Sequence, residues 1–263
     1  MLFVNNPIDG TRIHYEVMGD GPPLLLIHGF GGSILSWTET EYADALKADH
    51  RLVMYDMRAH GESGHPHGVE SYTPEMHVAD ALAVLDFLGI EQAHVFGYSM
   101  GAWIGFGLLK YAPERMLSFI AGANHPYPRS DYPAADDWTD LYREGLDTVL
   151  STFEAQSGER MPEPARTRFL AQDSEALVAS MIQLRDSTGV DDRLASVSVP
   201  VLAYIGSEDS MFKPAAMAAE EIPNATFISL DGLGHMQGFT RTDLVLPHIT
   251  EFLAEVESAN PSN

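Results

Sequence analysis

Three residues have the types that nucleophilic acyl chemistry needs: Ser99, Asp209 and His235. Ser99 lies in Gly97-Tyr98-Ser99-Met100-Gly101, a Gly-x-Ser-x-Gly run between an apolar strand and a helical stretch. On such an elbow the serine sits in a tight turn, and the flanking glycines remove side chains that would crowd neighbouring backbone. The hydroxyl is lifted above the sheet edge, beside a helix N-terminus that favours developing negative charge. The same run could also be a plain glycine-rich turn, so its context decides. A serine oxygen needs a base to take its proton, and the base needs an acid to orient it. Gly232-Leu233-Gly234-His235 offers the imidazole, and Gly206-Ser207-Glu208-Asp209 offers the carboxylate. His28-Gly29-Phe30-Gly31-Gly32 follows another apolar strand, where acyl transfer needs a backbone donor. The N–H groups of Phe30 and Met100 are the expected oxyanion pair.

Positioning these residues requires strand ends brought side by side. Leu24–Ile27, Leu52–Tyr55, His94–Phe96, Phe119–Ala121, Val201–Ile205 and Thr226–Leu230 read as buried strands. Trp37–Ala48, Pro74–Leu88, Met100–Tyr111, Pro214–Glu221 and Pro247–Val256 read as helices between and after them, with Pro247 placed for a first turn. Leu2–Asn5 and Thr11–Met18, joined across Asp9-Gly10, read as an antiparallel hairpin at the sheet edge. The pattern predicts an α/β fold, with a mostly parallel eight-stranded sheet and helices on both faces. From about His125 to Asp192 the alternation stops, and Trp138–Phe153, Ala165–Ala171 and Ser174–Arg185 read as helices. The expected organisation is therefore a core over 1–124, a helical cap insertion over 125–192, and the rest of the core over 193–263.

Bulk composition narrows the function classes. The 263 residues carry a formal net charge of −23, and Lys47, Lys110 and Lys213 are the only lysines. Phosphate recognition needs clusters of Lys and Arg, so nucleic acid and anionic membranes are not expected partners. With no cysteine there is no disulfide, thiol nucleophile or thiolate metal site. The N-terminal residues lack the basic-then-apolar pattern of a signal peptide, and no apolar run reaches the ~20 residues of a membrane span. A cytoplasmic location is the expectation. The charge is open to two readings, salt adaptation or ordinary acidity. Under the first, the melting temperature rises from low to molar NaCl as self-repulsion is screened; under the second it stays flat or falls.

Together these residues resemble the α/β-hydrolase family, in particular its small, capped, cofactor-free serine esterases and the related perhydrolases and enol-lactonases. The likeness runs from Arg12 to about Val256, and the chain order Ser, Asp, His matches that family. Asp56-Met57-Arg58-Ala59-His60-Gly61-Glu62-Ser63 is similar to a further signature, Asp-x-Arg-Gly-His-Gly-x-Ser, with Ala59 in place of a glycine. The resemblance implies a carboxylic ester hydrolase acting on a small-molecule ester or lactone, with no cofactor and no metal. Lactone opening, perhydrolysis and C–C bond hydrolysis use the same constellation, and some relatives keep the residues yet serve as small-molecule receptors. Nucleotide binding is not supported, because Gly29-x-Gly31 is followed by Ile34 where a dinucleotide fingerprint wants a small residue. His28 and Asp56 read as loop-ordering residues. His60, His65 and His67 lack the partners of a metal site, and Trp103 and Phe106 read as core. Asn124 follows a strand where an acid could also sit, which leaves Asp209 as the acid candidate. Phe30, Tyr98, Met100 and Met236 adjoin the chemistry and are expected to line an apolar pocket.

Overall fold

The computed structural model describes residues 1–131, 136–157 and 160–259. Its strands are β1 (Leu2–Asn5), β2 (Arg12–Met18), β3 (Pro23–Ile27), β4 (Arg51–Tyr55), β5 (Ala93–Tyr98), β6 (Met116–Gly122), β7 (Val201–Gly206) and β8 (Ala225–Leu230). They form one eight-stranded sheet in the order β1-β2-β4-β3-β5-β6-β7-β8. The β1–β2 and β2–β4 pairs are antiparallel, and every later pair is parallel.

Strand side chains alternate between two cores, because successive residues point to opposite faces. Leu25, Ile27, Val53, Val95 and Val201 enter one, while Leu24, Leu26, Leu52, Phe96 and Leu202 enter the other. The first core is closed by α3 (Pro74–Phe87) and α4 (Met100–Tyr111), with α9 (Phe212–Glu221) at one end. The second is closed by α1 (Leu35–Thr38), α2 (Glu41–Leu46) and α11 (Thr242–Ala259). Trp37 is fully buried there against Tyr42, Phe96 and Phe239. Between β6 and β7 the chain passes through α5 (Asp136–Glu144), α6 (Leu146–Ser157), α7 (Glu163–Leu170) and α8 (Ser174–Arg185). The short α10 (Gln237–Thr240) follows β8. No helix among the described residues is long and apolar enough to cross a membrane.

Three helices differ from the sequence pattern. The stretch Trp37–Ala48 splits into α1 and α2, because Thr40 is extended (φ −112°, ψ 176°) and its hydroxyl donates to Ser36 O at 2.9 Å. Trp138–Phe153 splits into α5 and α6 at Gly145, whose φ of 125° leaves the helical region. The last helix begins at Thr242, five residues before Pro247, so Pro247 lies inside it and not in its first turn. Pro247 is exposed, which leaves the carbonyl that lost its donor on the solvent side. Residues 132–135 and 158–159 of the expected insertion, and 260–263 of the C-terminal tail, lie outside the described residues.

Candidate active site

The elbow forms as its glycines require. A Cβ on Gly101 would collide with the Ile27 carbonyl and lie 2.8 Å from His28 O, and one on Gly97 would collide with Gly101 and lie 2.5 Å from Ala102 N. β5 and α4 therefore meet more closely than any side chain permits. Ser99, caught between them, takes φ 54° and ψ −118°, a conformation L-residues rarely adopt.

Ser99, Asp209 and His235 come from the ends of β5, β7 and β8. His235 Nε2 lies 3.0 Å from Ser99 Oγ, and His235 Nδ1 lies 2.6 Å from Asp209 Oδ2. The Asp209 side chain is only 1% exposed, against 33% for His235. The second carboxylate oxygen, Oδ1, accepts Met211 N–H at 3.0 Å. With both oxygens of Asp209 engaged, the imidazole is held with Nδ1 protonated and Nε2 facing the serine, the arrangement in which Nε2 can take the hydroxyl proton.

Phe30 N–H and Met100 N–H donate to no acceptor among the described residues. The loop carrying Phe30 is fixed from beneath. Gly31 N–H donates to His60 Nε2 at 3.0 Å, and His60 Nδ1 lies 2.9 Å from Arg58 O, so the imidazole is neutral with Nδ1 protonated. Burial, with a smaller effect from His28, pushes His60 down to about 3. His28 Nδ1 lies 2.8 Å from Gly29 O while its Nε2 accepts Met57 N–H at 3.1 Å, and burial holds it below its usual range. Asp56 accepts from Ile34 N–H and Glu62 N–H and pairs with His14. Each of these groups orders a loop. Ala59, where the similar signature has glycine, sits at φ 67°, which explains why a glycine suits that position.

Above this loop lie residues of α5 to α8. Phe30 packs edge-on against Tyr142 at 5.1 Å, Gln172 Nε2 donates to Gly31 O at 2.9 Å, and His67 Nε2 meets Asp173 Oδ2 at 2.9 Å. Phe30 and Met236 are half-buried and Met100 is buried. Tyr98 differs from the sequence expectation of a pocket residue. Its ring is 4% exposed among Tyr204, Phe239 and His235, and its hydroxyl donates to His235 O. It supports the histidine loop from the second core and does not line the space above Ser99.

Sequence reasoning did not find Arg129, which donates to Asn124 Oδ1 at 2.7 Å, or the link from Asn124 Nδ2 to Ser99 O at 2.7 Å. Position 124 stands out in the sequence only as a missing acid, and Arg129 sits in a proline-rich stretch with no diagnostic spacing.

Known proteins share this architecture. The family model of the α/β hydrolase fold matches residues 22–160. A putative non-heme bromoperoxidase of Mycobacterium tuberculosis is 26% identical over 269 residues, covering 94% of this chain and 99% of its own. A structure from work on carboxylesterases of Nitrososphaera gargenis superposes with a TM-score of 0.84 at 24% identity, covering 98% of this chain and 100% of the other. The enol-lactonase of Burkholderia xenovorans LB400 gives 0.82 at 23% identity, covering 96% and 100%.

Proposed function

This chain belongs to the α/β hydrolase fold family, and from that premise we propose that it hydrolyses carboxylic esters through Ser99, His235 and Asp209. The observation that carries the reading is the continuous relay of 3.0 Å and 2.6 Å contacts from Ser99 Oγ through His235 to Asp209. In the first half-reaction His235 Nε2 takes the hydroxyl proton as Ser99 Oγ attacks the ester carbonyl. The charge that builds on the carbonyl oxygen falls to the Phe30 and Met100 N–H groups. His235 then protonates the leaving alcohol, and the acyl group remains on Ser99. In the second half the same imidazole activates water, which releases the acid and restores the serine. Asp209 keeps the tautomer and stabilises the cation without taking a proton itself.

The described residues within 125–192 act as a cap in this reading, roofing the carboxyl ends of the strands where ligands of open α/β sheets bind. Half-buried Phe30 and Met236, with Tyr142 and Phe169 packed over the Phe30 loop, are expected to give the pocket an apolar lining, while the buried Met100 side chain belongs to the core. An apolar pocket in a chain of net charge −23 suits neutral acyl groups of short to medium length, and lactones of similar size. Each buried methylene adds roughly 0.8 kcal/mol until the chain meets the cap. Across p-nitrophenyl esters of increasing acyl length, kcat/KM is therefore expected to rise and then fall, with neutral lactones accepted and dicarboxylic monoesters rejected. A monotonic rise through long chains, or a preference for an anionic acyl group, would contradict a bounded neutral pocket. Absence of sustained turnover on the whole series would exclude an esterase and favour the receptor alternative.

A further inference from the structure

The two most buried arginines have opposite surroundings. Arg58, fully buried, donates from Nε and Nη2 to both oxygens of Asp80 at 2.6 and 2.8 Å and pairs with Asp9 at 3.0 Å. Arg129 is 7% exposed and forms no ion pair among the described residues. Its Nη2 donates to Asn124 Oδ1 at 2.7 Å, its Nη1 contacts Met211 Sδ at 3.0 Å, and its Nε has no partner. A guanidinium held out of water on one amide oxygen and one thioether is a net cost to folding. An apolar side chain would fill the place at no loss of stability, so the reason for a cation there is not packing.

Its contacts show what it connects. Asn124 takes the Arg129 donor on Oδ1 and passes its own Nδ2 hydrogen to Ser99 O at 2.7 Å, with His125 N–H also donating to Oδ1. Met211, on the other Nη, gives its backbone N–H to Asp209 Oδ1 at 3.0 Å. Arg129 follows β6, which lies between β5 and β7 in the sheet, so one side chain spans the strand ends that carry Ser99 and Asp209. We propose that Arg129 is a positioning residue: it ties the Ser99 elbow to the Asp209 loop and sets a fixed positive charge beside Asp209.

That charge has a direction of action on the reaction proposed above, on which this inference rests. Among the described residues, the ionisable groups that act on Asp209 include His235, Tyr98, His125 and Arg129. Burial drives the Tyr98 hydroxyl far up and His125 down to about 3, so both are uncharged at neutral pH. Burial lowers Arg129 to about 10, which leaves it charged there. Asp209 favours the protonated form of His235, and Arg129 opposes that field. Removing Arg129 is therefore expected to strengthen the pull of Asp209 on the imidazole proton.

The rate at which a fluorophosphonate labels Ser99, followed from about pH 5 to 9, reads the free base of His235 without any natural substrate. Wild-type labelling, absent in Ser99→Ala, first secures the Ser–His reading; a wild type that does not label defeats that reading and not this one. In Arg129→Met the acid limb should move up by about half a unit or more. Its plateau should fall on the order of 10-fold, while the melting temperature stays level or rises. Arg129→Lys keeps the charge but not the two-armed span, so its acid limb should match wild type while its plateau stays low. An acid limb that does not move in Arg129→Met overturns the proposal, whatever the plateau does. If Arg129→Met does not fold, Arg129→Lys decides: a low plateau at wild-type melting temperature supports the role, and a plateau lost in step with stability overturns it.

Discussion

Ser99→Ala is expected to hydrolyse p-nitrophenyl acetate at least about 10³-fold more slowly than wild type while melting at nearly the same temperature. The substitution removes one hydroxyl whose partner is His235 and leaves the backbone as strained as before, since alanine has the same Cβ at φ 54°. Stability should move by less than about 1 kcal/mol. Activity should collapse, because the acyl group then has no atom to join. Asp209→Asn tests the other end of the relay. An amide at that position cannot accept from Nδ1–H with the same charge, and its NH2 can favour the wrong tautomer, so kcat should drop by a factor on the order of 10³ to 10⁴. Wild-type turnover in either variant would remove these residues from the chemistry.

Gly101→Ala should have the largest effect on the fold for the smallest change in composition. The added methyl meets the Ile27 and His28 carbonyls, which belong to β3 and the loop leading to Phe30 and cannot rotate aside as a side chain could. Relief requires moving α4 away from the sheet, at a cost of about 3 kcal/mol or more. For a chain of this size that corresponds to a fall in melting temperature of roughly 6 to 12 °C. Gly10→Ala is the matched control: its φ is 75° but a Cβ there meets nothing within 4 Å, so only left-handed strain of about 1–2 kcal/mol applies. Gly101 itself is helical and carries no such strain, so a loss in Gly101→Ala no larger than that in Gly10→Ala would mean that the close approach at Gly101 is relieved at little cost. Gly101→Ala should also label slowly with a fluorophosphonate, since the Met100 N–H moves with the helix.

Much of this molecule is legible in its sequence because its signals are local. Apolar runs such as Val201–Ile205 are strands because both faces are buried, and the Ser99 elbow, the Phe30 loop and the strand-end Asp209 and His235 are short motifs adjoining them. The resemblance to α/β hydrolases rested on those motifs, and the family model and the eight-stranded sheet bear it out. What the sequence hid is of another kind. Tyr98 neighbours Ser99 in the chain, yet strand alternation turns it to the opposite face, where it supports His235. The break at Thr40 depends on a hydroxyl returning to Ser36 O, and the early start of the last helix depends on Pro247 facing water. Arg129 contacts Asn124 locally but reaches Met211 only when β6 and β7 lie side by side.

The strand order also governs when the site comes into being. Ser99 and His235 are 136 residues apart in sequence, and Asp209 and His235 are 26 apart. Of their strands, β5 reaches β7 only through β6, while β7 pairs with β8 directly, all by parallel pairings that require crossovers. Contacts of such separation form late in folding, after loop closure has been overcome. No partly synthesised chain ending before His235 can carry the relay, and no collapsed intermediate lacking the β7–β8 pairing can either. During refolding, the return of serine labelling is therefore expected to follow the return of helical signal and to coincide with completion of the sheet, which would make the relay a clock for the last step of folding.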